Sequence, residues 1–260
     1  MNARRFAAFV NMTTIPNDSP SARLFALTQN CPVPLPAGVV PVPYQLAAPD
    51  FWPGGLGHDP SVPFPHGGIM CLGHNWGIPS DWDDTLRNGA AVLQTNSTCR
   101  ATLELFVRCR VPSRDVFLTN FFVHLMDAES SIGRFHGTGD GKYEAWTRTV
   151  FAAQIEAMRP RAMFVLGMHV PPLLAPIATE FRPWARHRTL SALDAAGAAF
   201  VPRVTLSSSG WSHTFAVAVL THPSYRHINA KHRRYKGLAG DAAEVAMIRD
   251  TLNASGEPKP

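Results

Sequence analysis

From Gly68 onward, the chain alternates short apolar runs with segments of helical length. Four of these runs are apolar on both faces of a pleated strand, which is typical of buried parallel strands covered by helices. The predicted strands span residues 69–72, 115–119, 162–166 and 215–220. The segments between and after them predict helices at 83–93, 98–108, 143–158, 171–179, 187–196 and 241–253. This alternation predicts an α/β fold, a three-layer α/β/α sandwich with a central four-stranded parallel sheet.

Residues 1–67 follow a different pattern. Prolines recur between positions 32 and 65, where few residues can therefore join a helix or a central strand. Phe51, Trp52 and Phe64 are interspersed among them, so the region is more apolar than a flexible tether. We predict a proline-rich N-terminal arm at 1–67 that packs on the core, and one domain at 68–260. The glycine-rich segment 130–142 predicts a long exposed loop near the carboxyl edge of the sheet.

Composition narrows the class of protein. The chain has 260 residues, of which 45% are hydrophobic and 17% charged, so it can bury a full core and is neither disordered nor fibrous. No apolar run approaches the roughly 20 residues that cross a bilayer, and the N-terminus lacks a signal-peptide core. Four cysteines show no C-x-x-C pairing, which argues against a disulfide framework or a cysteine-bound metal. We therefore expect a cytoplasmic, monomeric protein without membrane contact.

Positive charge is concentrated in one segment. The net charge is +5, and between Ala195 and Gly240 the chain carries six basic residues and no Asp or Glu. Such focused charge suits a polyanionic partner such as nucleic acid, although a solvated basic surface has the same composition.

Polar motifs follow each predicted strand. In chain order they are Gly73-His74-Asn75-Trp76-Gly77, Thr119-Asn120-Phe121-Phe122, Gly167-Met168-His169 and Thr221-His222-Pro223-Ser224. Because the carboxyl ends of parallel strands meet at one edge of a sheet, Asn75, Asn120 and His222 should converge there.

The order and spacing of these motifs resemble the uracil-DNA glycosylase superfamily. In that superfamily a G-x-N/D-P-G-like loop follows the first strand, T-N or L-N ends the second, and H-P-S follows the last. Residues 160–167 of this chain also resemble the P-x-x-x-V-x-L-G segment that forms the third strand there. The resemblance covers residues 68–253 and is closest to the single-strand-selective and mismatch-specific branches. Two features differ: Trp76 replaces the usual proline, and the cysteines do not match the iron–sulfur ligand set of other branches.

The resemblance implies a monofunctional DNA glycosylase, without metal or cofactor, that excises uracil or another altered pyrimidine and leaves an abasic site. The residue chemistry agrees with it. The planar amide of Asn120 can pair in bidentate fashion with a pyrimidine edge. A neutral His222 can donate to the base O2 as the bond breaks, and Asn75 can hold the attacking water. Gly73, Trp76 and Phe121 are predicted to bind substrate beside Asn120.

The basic segment predicts the DNA-facing surface. Tyr225 or Arg226 could fill the space that a flipped base leaves in the DNA stack. The predicted DNA-binding set is Ser224, Tyr225, Arg226, Lys231, Arg233 and Arg234.

Three carboxylates follow the first motif, those of Asp81, Asp83 and Asp84. They could activate the attacking water or cap a helix.

Three other functions are compatible with parts of the sequence. An altered pocket could accept a bulky modified cytosine of phage DNA, which would indicate antiviral defence instead of repair. A catalytically silent DNA-binding module would keep the fold and the basic loop. An unrelated hydrolase using Ser224 or Ser208 is disfavoured, because G-x-S-x-G is absent.

Overall fold

The structure, a computed structural model, describes residues 20–42, 66–88, 95–131, 133–208 and 210–255. The helices are α1 (Pro20–Gln29), α2 (Pro79–Asn88), α3 (Ser97–Arg108), α4 (Gly141–Met158), α5 (Pro171–Leu174), α6 (Leu190–Ala195), α7 (Arg226–Asn229) and α8 (Gly240–Ala254). The strands are β1 (Val39–Val40), β2 (Ile69–Gly73), β3 (Val116–Asn120), β4 (Leu125–Met126), β5 (Ala162–Leu166), β6 (Phe200–Ser208), β7 (Trp211–Leu220), β8 (Arg234–Tyr235) and β9 (Leu238–Ala239).

The central sheet has five strands in the order β3-β2-β5-β7-β6. The four predicted strands are confirmed, and they pair in parallel as neighbours. The prediction of a purely parallel four-stranded sheet is wrong, because β6 adds an antiparallel edge strand that forms a hairpin with β7. Its residues alternate between buried and exposed at positions 204–207, since one face of this edge strand meets solvent. The fold is therefore α/β with a mixed, mostly parallel sheet.

Helices cover both faces of this sheet. The Phe106 ring of α3 lies 5.1 Å from the Phe164 ring of β5, measured between centroids. Thr119 Oγ1 of β3 donates to Gln154 Oε1 of α4 over 3.1 Å. The pairing register aligns Thr119 with Val165, the neighbour of Phe164, and successive side chains of a strand point to opposite faces. The two helices consequently lie on opposite sides of the sheet.

Helix boundaries follow local capping. Asn96 caps α3, accepting from the amides of Thr98 and Cys99, and Asp140 caps α4. The predicted helices at 98–108, 143–158 and 241–253 agree with α3, α4 and α8 to within about two residues. The helix predicted at 83–93 begins earlier, at Pro79, and residues 89–94 lie outside the described residues. The segments predicted as helices at 171–179 and 187–196 contain only the short α5 and α6.

The described part of the N-terminal region packs on the core. Leu24 of α1 is buried, as are Val39 and Val42. Strand β1 pairs with β4, and the carbonyl of Gly38 accepts from the amide of Asp127 over 2.8 Å. Residues 1–19 and 43–65 of the predicted arm lie outside the described residues. In the part of the chain that the structure describes, no helix has the length and apolarity to cross a membrane.

Candidate functional site

The carboxyl ends of the four parallel strands bring the polar motifs to one edge of the sheet. Asn120 ends β3, and its register partner Gly73 ends the neighbouring β2. The next two strands run into Gly167 and Thr221, and the amide of Gly167 donates to the carbonyl of Leu220 over 2.8 Å. This edge therefore carries the side chains of Asn120, His74, Asn75, His169 and His222 in a row across four adjacent strands.

Two glycines make room for polar side chains at this edge. A Cβ added at Gly73 would collide with Oδ1 of Asn120, so the amide lies directly against the Gly73 backbone. A Cβ added at Gly167 would lie 3.1 Å from Cβ of His222, and Gly167 also has φ +80°, which favours glycine. Asn120 and His222 thus lean inward from the flanking strands across the two central strands.

One tautomer of His222 is fixed by the backbone. Its Nδ1 accepts a hydrogen bond from the amide of Ser224 over 3.3 Å, so in the neutral ring the proton is on Nε2. Burial lowers the pKa of His222, and the nearby His169 lowers it further. A neutral His222 with an Nε2–H donor is therefore the form present near pH 7.

Beside it, His74 belongs to a cluster of rings. Its side chain is only 8% exposed, stacks on His169 at 4.9 Å and meets the edge of Phe122 at 5.4 Å between centroids. Burial lowers the pKa of His74 to about 3. The side chains of His169, His222 and Arg134 lower it further, because each is or can become positively charged. A hydrogen bond to the side chain of Asn75 opposes this decrease, because it favours the protonated ring.

The glycine-rich loop lies against this cluster. Phe135 stacks on Phe122 at 4.5 Å and meets His74 at 6.2 Å. Nδ1 of His136 lies 3.0 Å from the carbonyl of Gly38, which links the loop to the N-terminal region. The loop and the N-terminal region together therefore support the outer wall of the site.

No protein-family model matches this chain, and no curated protein matches its sequence. The chemical interpretation of the site accordingly depends on its own geometry and on the motif resemblance given above.

Sequence reasoning did not select His74 and His169 as site residues. Neither has ligand spacing in the sequence, and their stacking arises only when β2 and β5 become neighbours. Each follows a predicted strand within three residues, and this position at the carboxyl edge could have indicated that both belong to the site.

Phe121 does not line the site, contrary to prediction. Its side chain is 1% exposed and packs between Phe122 and Phe151 in the core. Trp76 is half-buried, with its ring 5.9 Å from that of Trp82, so at least part of it packs as core.

The prediction that Arg233 contacts DNA phosphates is wrong. Its side chain is 0% exposed, and its guanidinium pairs with Asp194 at 2.9 Å and Glu244 at 2.7 Å. Arg226 is also unsuited to that role, since it is 16% exposed and pairs with Glu244 and Asp241. Both arginines are internal because acids flanking the basic segment neutralise them.

Four residues of the predicted DNA-binding set remain at the surface: Ser224, Tyr225, Lys231 and Arg234. Tyr225 is 44% exposed, with its ring 5.9 Å from that of His222. No carboxylate among the described residues pairs with Lys231 or Arg234, although Arg234 donates to two nearby carbonyls. These four side chains form an exposed, positively charged margin, of which Tyr225 lies next to His222.

The acidic residues after the first motif belong to α2. Oδ2 of Asp81 accepts from the amide of Ile78 over 3.3 Å, and Asp84 pairs with Arg87. Across the described ranges, no group of three or more His, Cys, Asp or Glu side chains could hold a metal ion.

Proposed function

We propose that this protein is a monofunctional DNA glycosylase that hydrolyses the N-glycosidic bond of a flipped uracil or altered pyrimidine. The observation that carries the proposal is the convergence of Asn120 and His222 over Gly73 and Gly167 at one sheet edge. An amide can read the edge of a flipped base, and a neutral imidazole can donate a hydrogen bond to the departing base.

In the proposed reaction, Asn120 pairs with the Watson–Crick edge of the flipped base. The bond between C1′ and the base nitrogen breaks, and its electron pair leaves with the base. The Nε2–H of His222 donates to O2 of the departing base and stabilises the negative charge that develops there. A neutral ring can do this without proton transfer, and the depressed pKa of His222 keeps the ring neutral.

Asn75 would position the nucleophile. The Oδ1 atom of its amide can accept a hydrogen bond from a water molecule beside C1′. An amide cannot remove a proton, but the sugar passes through an oxocarbenium-like state that needs little activation of the water. The oxygen of the water bonds to C1′ and its proton is lost to solvent.

DNA would bind along the exposed basic margin. Lys231 and Arg234 would contact phosphates, and Tyr225 would fill the space that the flipped base leaves in the stack. The proposal includes a monomeric protein in the cytoplasm that needs no cofactor.

The direct test is excision from defined oligonucleotides. The protein is incubated with single- and double-stranded DNA containing uracil, cytosine or modified cytosines, and abasic sites are revealed as alkali-labile breaks. We expect Asn75→Ala and His222→Ala each to lower single-turnover excision by about 10²-fold, as for loss of an oxyanion donor, with DNA affinity little changed. Asn253→Ala, at an exposed position near the end of α8, is the control.

Other outcomes separate the alternatives. Wild-type rates in both variants would remove Asn75 and His222 from the chemistry. Excision limited to bulky modified cytosines would indicate a defence enzyme acting on phage DNA. DNA binding without excision from any oligonucleotide would indicate a silent binding module.

A further inference from the structure

A buried carboxylate lies directly behind the His222 turn. Oε1 of Glu244 accepts from the amide of Thr221 over 2.6 Å, one residue before His222. The same oxygen accepts from Nη1 of Arg233 over 2.7 Å, and both side chains are fully buried. Arg233 in turn donates to the carbonyl of Val219 over 2.9 Å. The start of the turn is therefore held by charge-assisted hydrogen bonds.

The other end of the turn is held by the same carboxylate. Oε2 of Glu244 pairs with Arg226, which also donates to Asp241 over 2.6 Å. Between these ends, Ser224 Oγ lies 2.8 Å from Thr98 Oγ1 at the start of α3. Glu244 thus contacts the chain on both sides of His222 without touching the substrate edge.

We infer that Glu244 is a positioning residue that fixes the orientation of His222 by joining Thr221 to Arg226. The inference rests on the proposed function, because it assigns Glu244 a part in the same reaction. The turn between residues 221 and 226 is short, so fixing both ends determines where the Ser224 amide meets Nδ1 of His222. That contact sets the tautomer that presents Nε2–H.

The arrangement tolerates a conservative variant. In Glu244→Gln, an amide oxygen can still accept from Thr221, while Arg233 keeps Asp194 and Arg226 keeps Asp241. What the variant loses is the charge that holds both arginines against one group. Asp250→Asn is the matched control, because Asp250 lies on the same helix and pairs with Lys236 at 2.7 Å and Tyr235 at 2.9 Å.

Single-turnover excision and DNA affinity are measured for both variants, alone and combined with His222→Ala. We expect Glu244→Gln to lower the rate about 10-fold at unchanged affinity, because small misplacements of a catalytic group are costly. In the His222→Ala background it should change the rate less than twofold. Asp250→Asn should leave the rate unchanged in both backgrounds. If Glu244→Gln fails to fold, Arg226→Met tests the same connection at a partly exposed site and should give the same pattern.

The ring nitrogens of His222 provide a readout that does not need activity. ¹⁵N-detected spectra of the wild type should show one tautomer, Nε2–H, and Glu244→Gln should show a mixture, unlike Asp250→Asn. If the wild type excises no base but the tautomer still changes, the proposed function fails and the positioning role stands. Additive rate losses with His222→Ala, or an unchanged tautomer, would overturn the positioning role and leave the proposed function intact.

Discussion

At the scale of single residues, Gly73 decides where the base-reading amide can lie. Its missing side chain leaves the space that the Asn120 amide occupies, and no other residue type provides that space. Since the amide is the flexible end of a side chain, an added methyl group would move it and leave the strand in place.

We therefore expect Gly73→Ala to fold and to lose base recognition. Single-turnover excision should fall at least 10-fold, while the melting temperature should change by only a few degrees. Gly141→Ala is the control, since a Cβ there meets nothing within 4 Å and the first turn of α4 accepts alanine. Equal activity in both variants would show that the position of the Asn120 amide is unimportant.

Asn120→Asp tests which group reads the base. The substitution replaces an amide that donates and accepts with a carboxylate that only accepts. A carboxylate repels O4 of uracil but can accept from N4–H of cytosine, so preference should move toward cytosine-type edges. The total rate should fall, because the new charge must be desolvated. Relative excision of uracil, cytosine and modified cytosines by both forms gives the answer. A uniform decrease at a fixed substrate ratio would contradict the role of Asn120.

At the scale of elements, the six basic residues of the basic segment fall into two groups. Arg226 and Arg233 pair with carboxylates inside the protein, whereas the other four, including Lys231 and Arg234, are exposed. The two groups should respond differently to substitution.

Lys231→Ala combined with Arg234→Ala should weaken binding to all DNA sequences alike. The slope of log K against log[salt] should decrease by about 1.8, since each phosphate contact on duplex DNA contributes about 0.9. Arg114→Ala is the control, because this exposed side chain precedes β3 at the opposite edge of the sheet. A slope equal to that of the control would mean that the margin does not touch DNA.

Arg233→Ala should act on stability. It leaves Asp194 and Glu244 buried without their shared cation, which costs about 3–5 kcal/mol in the free energy of unfolding. Urea denaturation measures this loss directly. If Arg233→Ala is as stable as the wild type and its slope of log K against log[salt] is reduced, Arg233 contacts DNA phosphates after all.

Sequence reasoning found the elements that have a simple apolar signature. Continuous apolar runs identified the parallel strands because both of their faces are buried. Strand β6 was not predicted, because it is an edge strand that contains Pro202 and Arg203 and has no continuous apolar run. The first part of β7 was missed with it, since that part pairs only with β6. Arg233 was misassigned since charge counts do not reveal burial. Its partners Asp194 and Glu244 lie just outside the acid-free segment.

At the scale of the whole molecule, buried neutral imidazoles make stability depend on pH. Burial lowers the pKa of His74 to about 3 and that of His124 to about 4, whereas an unfolded histidine titrates near 6.5. Between these values the unfolded chain binds more protons than the native state. The stability that the neutral rings of His74 and His124 allow is therefore fully present above about pH 6.5, and it is lost as the pH falls below that value.

His74→Phe should flatten this dependence. Replacing one titrating ring with an apolar ring removes up to about 1.4 kcal/mol per pH unit from the slope of unfolding free energy between pH 6 and 4. Urea denaturation at several pH values, followed by tryptophan fluorescence, measures the slope. Ile228→Phe, at an exposed position without a titrating group, should keep the wild-type slope. An unchanged slope in His74→Phe would mean that His74 is not buried as a neutral ring.

A ribosome releases Arg226 and Arg233 before Asp241 and Glu244, the carboxylates of α8 that pair with them. Until α8 follows, Arg226 has neither carboxylate and Arg233 has Asp194 alone, so closing this region would bury uncompensated charge. A nascent chain that stops before Gly240 already contains every strand of the central sheet and both asparagines of the site. It still lacks Glu244, the residue that we infer positions His222, so the proposed chemistry would reach its full rate only after α8 has docked.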